Sequence, residues 1–145
     1  MDENRSFDVI IIGLGPVGSV MANLLAPSNI SILIIEKNKM IHPTPLAIHF
    51  DGEVMRIFQN IWLSSSIKKI AIPSFQGMHF VDKNNKTLLV IKANKDIGDQ
   101  GWHNNWYFFQ PELEKILRNG LNRFNNVSLR LGENLIKIKD FKNKS

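Results

Sequence analysis

The chain of 145 residues contains no cysteine, which excludes disulfides, thiolate metal sites and cysteine nucleophiles. No apolar run approaches the roughly 20 residues that a membrane-crossing helix needs. The N-terminal MDENRSFD is acidic and polar, without the basic start and apolar core of a secretory signal. A soluble, cytoplasmic protein with no membrane partner is therefore expected. His42, His49, His79 and His103 show no ligand spacing, so no metal site is expected. The net charge is +5, with Lys137, Lys139, Lys142 and Lys144 close together at the C-terminal end. Arginine is sparse and no binding motif accompanies these lysines, so they read as a solvated strand edge and tail, with no nucleic-acid partner. Internal repeats and low-complexity segments are absent too.

What is present is ordinary globular composition, 43% hydrophobic and 21% charged, in a chain long enough for one domain with its own core. The informative stretch is Val9 to Glu36, VIIIGLGPVGSVMANLLAPSNISILIIE. Four β-branched residues, Val9 to Ile12, suit a strand buried on both faces, as in a parallel sheet. Gly13, Gly15 and Gly18 follow in G-x-G-x-x-G spacing. The first allows a sharp turn off the strand, the second a close approach of backbone to a pyrophosphate, and the third tight helix–sheet packing. Pro16 suits a first helical turn, where its missing N–H is no loss. Val17, Val20, Met21, Leu24 and Leu25 recur at helical spacing and predict the buried face of that helix. Ala26-Pro27 ends it, and Asn29 is able to take a left-handed turn. A second strand, Ile30 to Ile35, ends on Glu36, 23 residues after Gly13. That is about where a bound adenosine ribose needs an acceptor. A strand before the glycines, a helix after them and an acid closing the next strand together mark a βαβ dinucleotide site. A carboxylate at Glu36 would repel a ribose 2′-phosphate, which disfavours NADP at this site.

Beyond this unit, residues 37–50 carry two prolines and read as a loop on the cofactor side. Asp51 is placed to cap a helix with the apolar face Val54, Ile57, Phe58 and Ile61. Ser64 to Pro73 reads as an irregular connection. Phe75 to Val81 and Thr87 to Ile91, joined by the polar turn at 82–86, predict an antiparallel hairpin. Residues 93–106 form a polar loop, and Leu113, Ile116, Leu117, Leu121 and Phe124 mark another helical face after Gln110-Pro111. Val127 to Leu131 predicts a strand and Leu135 to Ile138 the start of another. The aromatic cluster Trp102, Trp106, Tyr107, Phe108 and Phe109 reads as core at a sheet–helix junction in preference to a ligand pocket.

The glycine motif, the stretch PLAIHFDGEVMRIFQNI and the stretch GWHNNWYFFQPELEKIL together resemble the FAD-dependent aromatic hydroxylases of the p-hydroxybenzoate hydroxylase fold. Within that family the resemblance is closest to the 3-(3-hydroxyphenyl)propionate hydroxylase branch, from about Phe7 to Ile138. It implies an α/β architecture: a Rossmann-like βαβ FAD-binding domain with an inserted antiparallel hairpin, truncated relative to the family. The expected layout places the dinucleotide unit and its loop in 1–50, the inserted hairpin in 70–95, and a helix with returning strands in 107–140. The cofactor-binding residues implied are Gly13, Gly15, Pro16, Val17, Gly18, Glu36, Lys37 and Gln110. Glu36 corresponds to the family's ribose-binding acid, and Gln110 to a glutamine that contacts the flavin's ribityl chain. No catalytic side chain is assigned.

The resemblance further implies FAD as cofactor, NAD(P)H as reductant, and a small aromatic or phenolic acid as the substrate of a monooxygenase. Which acid, and which oligomeric state, the sequence does not name. Three positions depart from the family pattern. Leu46 stands where an arginine reaching back to the flavin is usual, Gly52 where an acid is common, and Trp62 where glycine is frequent. The family's Asp-Gly and Gly-Asp flavin-holding motifs lie beyond Ser145 in its pattern. The chain is therefore expected to be an N-terminal fragment, inactive alone, with a bare FAD- or NAD-binding module and an inactive remnant as the alternatives.

Overall fold

A computed structural model describes residues 6–92 and 95–139. The lysines at 142 and 144 lie outside the described residues. In chain order the elements are β1 (Val9–Ile12), α1 (Pro16–Leu25), β2 (Ile32–Glu36), β3 (His49–Phe50), α2 (Gly52–Asn60) and α3 (Ser64–Ile67). They continue with β4 (Ile72–Pro73), β5 (Met78–Val81), β6 (Thr87–Ile91), β7 (Trp106–Tyr107), α4 (Gln110–Gly120) and β8 (Val127–Leu131). The chain divides into two compact units, one formed by residues 1–41 and 118–145, the other by 42–117. No helix among the described residues is long and apolar enough to cross a membrane.

The first unit is a parallel sheet in the order β1-β2-β8, with Val9 opposite Ile32 and Ile32 opposite Val127. Parallel neighbours need a crossover, and α1 supplies it between β1 and β2. The core is Leu14, Ala22, Ala26, Ile32, Ile34 and Leu121, with Val9, Ile11 and Val127 packed against it. After α1, a short 3₁₀ turn at Ala26–Ser28 ends on Asn29, which takes the left-handed conformation at φ 58°.

Three sequence expectations fail in this unit. The buried side of α1 is Ser19, Ala22 and Asn23, continued by Ala26, while Val17, Met21 and Leu24 are exposed. The cause is proximity: Gly18 brings the helix against the Gly13 carbonyl and the Ile11 side chain, leaving room only for small residues on the sheet side. The polar members are bonded, Ser19 Oγ donating to the Leu14 carbonyl and Asn23 Nδ2 to the Ser19 carbonyl. Likewise β1 is covered on one face only. Ile10 and Ile12 are 54% and 51% exposed, because α1 packs on the Ile11 side and no described element covers the other. No strand forms at Leu135 to Ile138. Ile136 and Ile138 are exposed there, with no described strand beside them to complete a ladder.

The second unit is built differently. Its sheet is β3-β7-β4, antiparallel and only two residues wide at each strand. Asp51 caps α2 by accepting from the Val54 N–H at 2.9 Å. The face that α2 buries is Gly52, Met55 and Phe58, followed by Ile61, whereas Ile57 points out. Of the predicted set Phe58 and Ile61 are buried and Val54 half-buried, while Met55, which was not predicted, is buried in place of Ile57. The Ser64 to Pro73 connection contains the single-turn α3 and the short β4 in place of irregular chain. The hairpin β5–β6 forms as expected, and Asp82 Oδ1 accepts from the Asn84 and Lys86 N–H groups to close its turn. Of the aromatic run, Trp106 alone is deeply buried, stacked on Phe50, while Tyr107 and Phe109 are exposed.

Candidate functional site

Around the first turn of the βαβ unit, seven of the eight predicted residues share one neighbourhood. Gly13 has φ +99°, a conformation that an L side chain rarely adopts, and its N–H donates to the Ile35 carbonyl at 2.8 Å. Gly15 is the N-cap of α1, and nothing lies within 4 Å of where its Cβ would stand. At Gly18 the opposite holds, since a Cβ there would collide with the Gly13 carbonyl oxygen. The loop is therefore tight on the protein side at Gly18 and open on the solvent side at Gly15. Pro16 occupies the first helical position. Val17 follows, 80% exposed, on a first turn whose N–H groups lack intrahelical acceptors. Such a turn is suited to an anion.

Glu36 is the chemical centre of this neighbourhood. It is buried at 7% exposure on the end of β2. One carboxylate oxygen accepts from the Leu14 N–H at 2.7 Å and the other from the Asn38 N–H at 2.8 Å. Burial, the largest single influence, pushes its pKa up. The two N–H donors and the nearby Arg118 guanidinium together outweigh that, so the carboxyl stays below its ordinary value and ionised. Each oxygen keeps a lone pair for a further donor. Beside it lies a cleft of about 220 Å³ lined by Gly13, Glu36, Lys37 and the turn Glu133 to Leu135. That turn was missed by sequence reasoning. Its backbone is pinned by the Glu36 carbonyl, which accepts from the Gly132 and Glu133 N–H groups at 2.7 and 3.1 Å. The glycine at 132, just after a predicted strand, was the one available signal.

Gln110 lies in the second unit and has a different setting. Its Oε1 accepts from the Leu46 and Ala47 N–H groups at 2.8 and 2.7 Å, and its Nε2 donates to Glu114 at 2.8 Å. Both lone pairs of the carboxamide oxygen are thereby used within the unit. The Leu46 side chain is 83% exposed. The other two departures from the family pattern also have structural settings. A Cβ at Gly52 would lie 3.1 Å from the His103 carbonyl oxygen, so a larger residue needs that loop to give. Trp62 sits at φ 57°, the left-handed position after a helix that favours glycine.

A parallel βαβ with a glycine turn, an open first helical turn and an acid closing the second strand is the dinucleotide-binding class of α/β protein. The residues present fit the ADP portion of such a ligand: the turn leaves room at Gly15, and Glu36 offers acceptors beside a cleft. The chain belongs to the FAD binding domain family, which matches residues 6–144. It is 37% identical over 128 residues to a 3-(3-hydroxy-phenyl)propionate/3-hydroxycinnamic acid hydroxylase of Burkholderia vietnamiensis, covering 88% of this chain and 20% of that protein. A hydroxylase of the same name from Mycolicibacterium smegmatis is 34% identical over 135 residues, covering 93% of this chain and 24% of that protein. The chain thus spans about a fifth of the length of the curated relatives it matches. Among solved structures, p-nitrophenol 4-monooxygenase PnpA from Pseudomonas putida superposes with a TM-score of 0.74 at 18% identity, over 86% of this chain and 31% of that one. The flavin-dependent monooxygenase PieE, solved with FAD and substrate, gives 0.72 at 19% identity over 89% of this chain and 24% of its own. These likenesses show the fold.

Proposed function

We propose that Gly13, Gly15, Pro16, Val17, Gly18, Glu36 and Lys37 hold the ADP half of FAD. Gln110 and the 42–48 loop attend to the flavin half, and the chain serves as the FAD-binding part of a monooxygenase that hydroxylates a phenolic or aromatic acid. The observation that carries the reading is the Glu36 carboxylate, buried, ionised and fixed by two backbone N–H groups beside an open cleft. Its remaining lone pairs suit the ribose hydroxyls, the α1 N-terminus suits the pyrophosphate, and the Glu133 to Leu135 turn borders the space left for the base. When bound, the flavin supplies the redox and oxygen chemistry, with NAD(P)H as reductant. The chain's own part is to bind and orient it. The names of the relatives support the hydroxylase reading and the aromatic-acid substrate class. By itself the 145-residue chain is expected to show no NAD(P)H oxidation stimulated by phenolic acids, because it spans only a fifth of those relatives.

The test is equilibrium titration of FAD by fluorescence quenching. Glu36→Arg should weaken binding by about tenfold or more, since a cation removes the hydroxyl acceptor and the clamp on the Leu14 N–H. Affinity equal to wild type would remove Glu36 from the site.

A further inference from the structure

Gln110 has a carboxamide whose two ends are chemically distinct and sterically alike, so its orientation depends on its neighbours. On one side stand two donors, the Leu46 and Ala47 N–H groups at 2.8 and 2.7 Å from Oε1. On the other stands an acceptor, the Glu114 carboxylate, 2.8 Å from Nε2. Flipping the amide would set its NH₂ against two N–H donors and its oxygen against a carboxylate. Both ends would then repel. Glu114 lies one helical turn after Gln110 on α4 and is 5% exposed, while Gln110 is 8% exposed. Water therefore cannot readily replace Glu114 as the partner of the Gln110 NH₂ group. The loop amides gain their acceptor across 64 and 63 residues of sequence, from one side chain held in one orientation.

We propose that Glu114 is a positioning residue for the 42–48 loop, acting through Gln110. Its carboxylate fixes the Gln110 amide with oxygen toward Leu46 and Ala47, which sets the path of the loop. On the functional reading above, that loop is the one expected to approach the flavin, so Glu114 also governs how firmly FAD is retained.

Amide exchange on the ¹⁵N-labelled chain reads the loop directly and needs no cofactor. Glu114→Leu should accelerate exchange at Leu46 and Ala47 by about tenfold, because losing one polar partner frees the amide to rotate. The amides of β1, β2 and β8 should be unaffected. Glu114→Gln keeps an acceptor oxygen and should restore protection to near the wild-type level. Gln110→Glu alone should accelerate exchange, since two carboxylates then face each other. The double variant Gln110→Glu, Glu114→Gln reverses the donor and acceptor and should recover protection, which also keeps the test alive if Glu114→Leu fails to fold. Unchanged exchange at both amides in Glu114→Leu, or a double variant no better than Gln110→Glu, would overturn the proposal. FAD titration of the same variants separates the two layers. A wild-type chain that does not bind FAD defeats the functional reading while the exchange data decide the clamp. Accelerated exchange with undiminished FAD affinity overturns the link from loop to cofactor.

Discussion

In the first unit, an extended backbone ladder joins β1, β2 and β8, with the Gly13 N–H on the Ile35 carbonyl, and side chains such as Asn126, which donates to the Ala26 and Ile30 carbonyls, are added to it. In the second, several long-range bonds are made by single side chains. Gln110 reaches Leu46 and Ala47, His49 Nε2 meets Asn105 at 3.1 Å, and Trp102 Nε1 donates to Gln59 at 2.9 Å. A backbone-built unit depends on spacing and on glycines at a few points, because the ladder itself accepts many side chains. A side-chain-built unit depends on the identity of each bonding residue. The first should therefore break where backbone is crowded, and the second where a buried side chain is lost.

The largest effect is expected in the second unit. Trp106 is 3% exposed, stacks on Phe50 at 6.3 Å and donates from Nε1 to the His103 carbonyl at 2.8 Å. Trp106→Ala should cost about 3–5 kcal/mol, measured by urea unfolding. Loss of exchange protection should appear in β3, β4 and β7; equal loss throughout β1, β2 and β8 would break the comparison.

Gly18→Ala is the counterpart in the first unit. The added methyl meets backbone, which cannot rotate away, and the expected cost is about 3 kcal/mol by the same measurement. Gly15→Ala, where the space is open, should be nearly neutral for stability and is the control. A cost as large at Gly15 as at Gly18 would mean that the turn is shaped by conformation and not by crowding.

Trp62 offers a change in the opposite direction. The Leu63 N–H bonds the Phe58 carbonyl and the Trp62 N–H the Gln59 carbonyl, both at 2.9 Å, closing α2 with the paired bonds of a Schellman turn. The left-handed residue of that turn is a tryptophan, 72% exposed at φ 57°. Trp62→Gly should raise the melting temperature, stabilising by about 0.5–1 kcal/mol after glycine's greater unfolded-state freedom is set against the relieved strain. A fall in stability would show that the indole makes contacts worth more than the strain.

The smallest effect is the pH dependence carried by Glu36. Its folded pKa lies below the ordinary 4.5, so it contributes stability that is full above that pH and is lost as pH falls through the folded value. Glu36→Gln should flatten the acid limb of stability against pH in unfolding series below about pH 5. An unaltered limb would assign the acid sensitivity to other carboxylates, Asp8 first among them. Its pKa is lowered by the side-chain and backbone hydrogen bonds of Ser31.

The turn chemistry was legible in the residues: Gly13, Gly15, Pro16 and Gly18 declare a strand-to-helix turn, Asn29 a left-handed stop, Asp51 a cap, and 82–86 a hairpin. Each of these is a short-range constraint, set by what one backbone position permits, and neighbours a few residues away suffice to express it. Which face each helix buries was not legible. Periodicity marked Val17, Met21 and Leu24 as inward, but the close approach at Gly18 selected Ser19, Ala22 and Asn23, a choice made by the distance between helix and sheet. The four β-branched residues of β1 specified an apolar strand, while coverage of one face or two depends on which layers surround it. Glu36 was foreseen as an acid at a strand end, yet its ionised, doubly bonded state exists only because β2 places it beside the Leu14 N–H. The two loop amides held by Gln110 lay beyond reading altogether, since hydrogen bonds across more than 60 residues are fixed by packing and leave no periodic trace; the Gln110–Glu114 pair is by contrast a short-range one, four residues apart on α4.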